Sequence, residues 1–275
     1  MRLRVDFGYD GTDFSGWAAQ PGRRTVEEVL AGAWATILRA EPPKLTVAGR
    51  TDAGVHARGA VCHLDVDEPL LAALPGRSQR GPLEAAVTRL AGVLPADVVV
   101  HRVSAAPDGF DARFSATSRR YLYRIADSDA THDPLRRRDT VWLRHPLDLD
   151  AMNEASASLR GLRDFAAFCK KREGATTVRT LLAYEWTRDG DGVLLGTVRA
   201  DAFCHSMVRA LVGAAVPVGH GRRPVEWPAE VMTTAVRDPG VAVMPAHGLS
   251  LEEVTYPADS ELAARAQEAR NVRSL

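Results

Sequence analysis

The chain has 275 residues, with 35 Lys and Arg against 35 Asp and Glu, so its formal net charge is zero. That length allows one large domain or two medium ones with a sizeable core, and the balance of charge argues against a globally basic nucleic-acid-binding surface. No apolar run approaches the ~18 residues a membrane-spanning helix needs, and Met1-Arg2-Leu3-Arg4-Val5-Asp6 contains no apolar leader segment. The cysteines Cys62, Cys169 and Cys204 lie far apart in the chain, and the expectation is a cytoplasmic protein with reduced, buried thiols. Basic residues cluster locally at Arg23-Arg24, Arg119-Arg120, Arg136-Arg137-Arg138, Lys170-Lys171-Arg172 and Arg222-Arg223, which would suit local tracks along phosphates.

Residues 3–9 read as a strand, because Leu3, Val5 and Phe7 alternate with Arg4, Asp6 and Gly8. The loop that follows holds Tyr9, Phe14 and Trp17; it is either capped by aromatic packing or turned toward RNA. Thr25-Val26-Glu27-Glu28 has the form of a capping box. Apolar residues from Val26 to Leu38 then recur at helical spacing. Residues 44–47 and 60–66 read as short strands flanking a polar loop that contains Gly49, Gly54 and Gly59. Arg50 and Asp52 sit in this loop two positions apart, which places their side chains on one side of an extended backbone. A guanidinium beside the carboxylate would keep it ionised. The pair is then either the mount for a nucleophile or base, or a salt bridge that pins the loop. Residues 70–80 read as a loop, 82–94 as a helix and 98–103 as a strand.

In the stretch from Phe110 to Ile125, Tyr121, Tyr123 and Ile125 share one face of a strand that is preceded by Arg113, Arg119 and Arg120. Basic residues interleaved with aromatics suit splayed RNA bases; rings covering a core fit equally well. Residues 127–146 read as a basic loop region, and 148–159 as a helix capped by Asp148 or Asp150. Strands at 178–186 and 193–200 are joined by Asp189-Gly190-Asp191-Gly192, a hairpin signal. Phe203, Met207, Ala210, Leu211 and Ala214 fall on one helical face, and Arg209 within this apolar run needs a partner or water. A helix at 229–237, a last strand ending at Val254 and a charged tail complete the chain. The expected organisation is an α+β (mixed α/β) fold with mainly antiparallel sheets, divided into 1–110, 111–256 and a 257–275 tail.

The run Ala48-Gly49-Arg50-Thr51-Asp52-Ala53-Gly54-Val55-His56 resembles the signature loop of the TruA-type tRNA pseudouridine synthases. Tyr9-Asp10-Gly11 with Phe14-Ser15-Gly16-Trp17 resembles the family's first motif, although Ala18-Ala19-Gln20 stands where the family has Gln directly after Trp. Phe110-Asp111-Ala112-Arg113-Phe114-Ser115-Ala116 with Arg119-Arg120-Tyr121-Leu122-Tyr123, then Gly161 to Phe168, Ala202 to Arg209, and Pro245 to Leu249 resemble later blocks in order.

The resemblance implies two ferredoxin-like halves flanking a central cleft, usually in a homodimer. It also implies isomerisation of uridine to pseudouridine in the tRNA anticodon stem-loop (tRNA positions 38, 39 and 40), without cofactor or metal. Residue by residue, it implies Asp52 as the catalytic carboxylate, Arg50 as its partner, Tyr121 against the target base and Arg209 lining the active cleft. Arg58, Arg119, Arg120, Lys170 and Arg172 are expected along the RNA path. Two other classes are open: a metal-dependent hydrolase using Asp52, His56 and His63, or an RNA-binding protein without catalysis.

Overall fold

A computed structural model describes residues 1–170, 176–234, 236 and 238–270. These residues form ten strands, β1–β10, and seven α-helices, α1–α7, numbered along the chain. They divide into two compact units: Met1–Thr117 with the segment returning from Leu251, and Ser118–Ser250. The fold is the expected mixed α/β type, mainly antiparallel.

In the first unit β1 (Arg2–Tyr9) is the central strand. It pairs antiparallel with β3 (His56–Asp65) on one side and β4 (Val98–Ala105) on the other, so Val5 faces Cys62 and Val103. The short β2 (Thr46–Val47) pairs with the far edge of β3. With α1 (Val26–Leu38) and α3 (Pro82–Val93) this gives the β-α-β-β-α-β order and the 4-1-3-2 strand arrangement of a ferredoxin-like unit. The alternation in β1 has the expected cause: Leu3, Val5 and Phe7 are fully buried. α1 buries Leu30, Trp34 and Ile37, and each fully buried large apolar side chain contributes about 1.5–3 kcal/mol. β10 (Leu249–Thr255) and α7 (Leu262–Ala269) bring the chain back into this unit.

Two local expectations fail here. Thr25 occupies the cap position of α1, but its side chain makes no capping bond. The Val26 and Glu27 amides instead donate to the carbonyls of Gly16 and Trp17, and the Glu27 carboxylate accepts from the Ala19 amide. The incoming loop lies across the helix start and supplies acceptors for two of its first amides. The expected loop at 70–80 overlaps α2 (Glu68–Ala72), a single turn opened by Pro69 near its N-terminus.

The second unit places β5 (Ser118–Ala126) beside β9 (Leu194–Ala200), then β8 (Val178–Arg188) and β7 (Gly161–Asp164), all antiparallel. β6 (Val141–Trp142) runs parallel to β5. α4 (Leu149–Ala157) packs on β8 and on α5 (Met207–Gly219), with α6 (Trp227–Thr233) against both helices. Asp148 caps α4 by accepting from the Ala151 amide at 2.9 Å, and Asp189 closes the β8–β9 hairpin by accepting from the Asp191 and Val193 amides. α5 is not the one-faced helix the spacing predicts. Flanked by α4, α6 and the Ala166–Phe168 turn, it is buried almost all round. It also starts at Met207, so Phe203 stands before it, separated by Ser206 at φ +62°. Among the described residues, no helix is long and apolar enough to cross a membrane.

Candidate active site

The loop between β2 and β3 is shorter than predicted, since β3 begins at His56 and contains Arg58 and Gly59. Gly54 supplies the turn at φ +77°, whereas Gly59 is needed for space, because a Cβ there would collide with the Glu252 carbonyl. The loop is braced from below by the first motif. The hydroxyls of Thr51 and Tyr9 form a buried hydrogen bond of 2.7 Å. The Thr51 carbonyl accepts from the Trp17 amide at 3.1 Å, and the Gly54 amide donates to the Phe14 carbonyl at 3.2 Å. The Gly11 amide donates to His56 Nδ1 at 3.0 Å. Tyr9, Phe14 and Trp17 are all buried. Of the two readings of that aromatic loop, packing is the one the structure takes: the loop is a bracket for residues 51–56.

With Thr51 turned inward, Arg50 is exposed and Asp52 half-buried. The expected Arg50–Asp52 ion pair is not formed: among the described residues Arg50 pairs with no carboxylate. The Thr51 anchor sets the loop's shape in its place. Arg58 is exposed on β3, its guanidinium 3.6 Å from the Glu252 carboxylate. Replacing Tyr9 by Phe leaves the buried Thr51 hydroxyl without this partner. The expected cost is about 1–2 kcal/mol, read as a lower urea midpoint; an unchanged midpoint would show that the bracket does not hold the loop.

The two histidines weighed as ligands both have structural tasks. His56 takes the Gly11 amide, and His63 Nδ1 accepts from the Ala112 amide at 3.0 Å. Burial, helped by the charge of Arg2 and opposed by Asp111 and Asp65, holds His63 below the usual imidazole range. The unfolded chain therefore takes up this proton first, so stability is lost as pH falls below about 6.5 toward the lower folded value. His63→Asn, whose side-chain oxygen can accept the same amide, should flatten the decline of the unfolding midpoint between about pH 8 and about pH 5. An equal slope in the variant would assign the decline to other groups.

In the second unit, Tyr121 on β5 is 6% exposed and faces Val198 across to β9. The Phe203 ring meets it edge-on, with centroids 5.0 Å apart. Two residues along, the Tyr123 hydroxyl donates to the Pro245 carbonyl at 2.8 Å. Gly248 lies against the Tyr123 ring, where an added Cβ would come within 2.7 Å of Cζ. The closing motif thus locks the strand that carries Tyr121. Arg209 is half-buried in α5 and meets the expected need for a partner: Nε donates to the Met244 carbonyl at 2.6 Å. Arg119 is buried, donating to the Asp201 carbonyl at 2.7 Å, while Arg120 is half-buried. Lys170 is exposed, and its amide donates to the His205 carbonyl at 3.1 Å. Arg172 lies outside the described residues.

The expectation of three unpaired thiols is corrected. Cys169 and Cys204 form a disulfide, and only Cys62 is free, fully buried and with its thiol pushed well up by that burial. A sequence separation of 35 hid the pairing; the path through β8 and β9 returns the chain to the same place. Sequence reasoning also passed over the contacts of Thr51 with Tyr9 and of Phe203 with Tyr121, although both residues lie inside the quoted motifs.

Residues 155–257 match the family model described as tRNA pseudouridine synthase. Over its whole length the chain is 58% identical to tRNA pseudouridine synthase A of Streptomyces griseus, covering 95% of that protein. It is 54% identical to the protein of the same name from Frankia casuarinae, over 99% of this chain and 96% of that one. The corresponding Mycobacterium leprae protein is 48% identical, over 100% and 96%. Among solved structures, a chain of the archaeal box H/ACA sRNP Nop10-Cbf5 complex aligns over 78% of this chain and 44% of its own, with 11% identity and a TM-score of 0.34, too loose a likeness to argue from. The full-length relatives place this mixed α/β chain in the class of tRNA-modifying isomerases. The chain belongs to the tRNA pseudouridine synthase A family.

Proposed function

We propose that the chain converts uridine to pseudouridine in the anticodon stem-loop of tRNA, with Asp52 beginning the chemistry. Family membership over the full chain supports the reaction. The observation that carries the site is the placement of Asp52, half-buried on a loop pinned immediately beside it at Thr51. The N1–C1′ bond of uridine breaks and a C5–C1′ bond forms. C5 gives up its proton and N1 ends protonated, so the formula is unchanged and no oxidant, reductant or phosphate donor is required. Asp52 either attacks the sugar or base, or removes a sugar proton. The target base must first leave its stack, at a cost of about a few kcal/mol.

Tyr121, backed by Phe203, packs on the extruded base near C5, and Arg209 contributes its positive charge to substrate binding. Arg50, exposed on the catalytic loop, brings its charge to the RNA. Arg58, Arg120 and Lys170 line the RNA path, and Arg119 supports it by holding the Asp201 segment. The working protein is a cytoplasmic homodimer.

The test is tritium release from tRNA transcripts labelled at uridine C5, because forming the carbon–carbon bond expels that hydrogen. Release by the wild-type protein confirms the reaction. Binding without release would favour the non-catalytic RNA-binding reading.

A further inference from the structure

The disulfide has no part in the isomerisation, yet it stands at the back of the proposed base-binding residues. Cys169 follows the Ala166–Phe168 turn and Cys204 lies three residues before the start of α5, with their Cα atoms 5.7 Å apart, an ordinary disulfide spacing. Residues 201–206 are attached to the unit at several points. Arg119 donates to the Asp201 carbonyl at 2.7 Å, and the Asp201 carboxylate accepts from the Thr180 amide at 3.1 Å. Phe203 abuts Tyr121, and the His205 carbonyl accepts from the Lys170 amide. The Cys204 bond is the covalent link in this set, placed between Phe203 and His205. The two sulfurs differ in access: Cys169 is 2% exposed, whereas Cys204 is half-buried and followed by the exposed His205. An accessible cysteine with a buried partner within bonding reach is the arrangement of an attacking and a resolving thiol.

We propose that Cys169 and Cys204 are a reversible thiol–disulfide site that sets the affinity for tRNA, by fixing Phe203 against Tyr121 and Lys170 beside the start of α5. This rests on the reading of Tyr121 and Lys170 as RNA-contacting residues of a pseudouridine synthase. In the oxidising direction the Cys204 thiolate attacks a low-molecular-weight disulfide and expels one thiol. The Cys169 thiolate then displaces the second from the mixed disulfide. Two protein thiols lose two protons and two electrons, and the small disulfide becomes two thiols. Oxidised, the segment meets RNA already ordered; reduced, its ordering must be met from the binding free energy.

The experiment compares the full-length protein equilibrated with oxidised glutathione or with a phosphine reductant. The readouts are alkylated thiols counted by mass after denaturation, Kd for a tRNA transcript, and tritium release. Oxidation is expected to protect two thiols and leave Cys62 to be labelled. Reduction is expected to raise Kd by about threefold or more with a smaller change in kcat. The Cys169→Ser/Cys204→Ser protein should bind like the reduced form and ignore the oxidant, while Cys62→Ser should keep the response. Labelling of all three thiols after oxidation overturns the proposal. So does an equal Kd in two wild-type states of verified thiol content that both release tritium, and that outcome leaves the functional reading standing. A wild-type protein that neither binds nor releases in either state overturns the functional reading and the coupling with it.

Discussion

The Asp52→Asn protein is expected to fold, to bind tRNA transcripts and to release almost no tritium from uridine C5, a loss on the order of 10⁴-fold or more in kcat. The two halves of that expectation have different origins. The loop is held at Thr51 by Tyr9 and Trp17 and at Gly54 by Phe14, anchors that the substitution leaves in place. Asn keeps the size of the side chain and one oxygen acceptor, and the change in stability should stay within about 1 kcal/mol. What it loses is the negative oxygen that can attack carbon or take a proton. Arg50→Ala is the informative contrast. Its guanidinium is exposed and pairs with no carboxylate among the described residues, so melting should not move, and the defect should fall on tRNA binding. Near-wild-type turnover by a folded Asp52→Asn would remove Asp52 from the chemistry; normal tRNA affinity in Arg50→Ala would remove Arg50 from the RNA path.

What was legible in the sequence was what short-range periodicity or contiguous motifs record. Leu3, Val5 and Phe7 announce β1 because a strand with one buried face must alternate, and Asp148 announces α4 because its carboxylate reaches an amide only three residues away. The loop that carries Asp52 was legible for a different reason: its residues are contiguous and match a family. The errors arose where a long-range contact replaced a local one. Thr25 and Glu28 could have capped α1, but the Thr25 side chain makes no capping bond, and the helix start is held by the Gly16 and Trp17 carbonyls, which take the Val26 and Glu27 amides. Arg50 and Asp52 could have paired, but the intervening Thr51 is held by Tyr9, 42 residues earlier. Cys169 and Cys204 are brought together by the chain's path through β8 and β9. Each of these depends on where the backbone returns, which composition and spacing do not encode.

The same blindness covered Asp127, which the sequence placed in a loop and the structure places at a buried junction. Its side chain is 0% exposed and receives both terminal nitrogens of Arg188, at 3.0 and 2.7 Å. It also accepts from the Leu147 and Asp129 amides at 2.8 and 3.2 Å. Arg188 further donates to the carbonyls of Gly192 and Leu147, at 2.6 and 3.2 Å. One ion pair therefore joins the end of β5, the start of α4 and the β8–β9 hairpin. Burial alone would raise the Asp127 pKa, but Arg188 and the amides outweigh it and hold the carboxyl below its ordinary value. The stabilisation is therefore present above about pH 3.9 and is lost as pH falls through the lower folded value. Arg188→Met is expected to destabilise the second unit by about 3–5 kcal/mol at neutral pH, because it leaves a buried carboxylate without its cation. The deficit should shrink toward about pH 4.5, since the unpaired Asp127 can then take a proton and shed its charge. Asp127→Asn, which retains an acceptor for the amides and leaves a partly exposed guanidinium, should cost less, about 1–3 kcal/mol. Urea unfolding of both variants at the two pH values separates these cases. A deficit in Arg188→Met that is independent of pH would mean that lost packing of its alkyl chain, and not the stranded carboxylate, accounts for the damage.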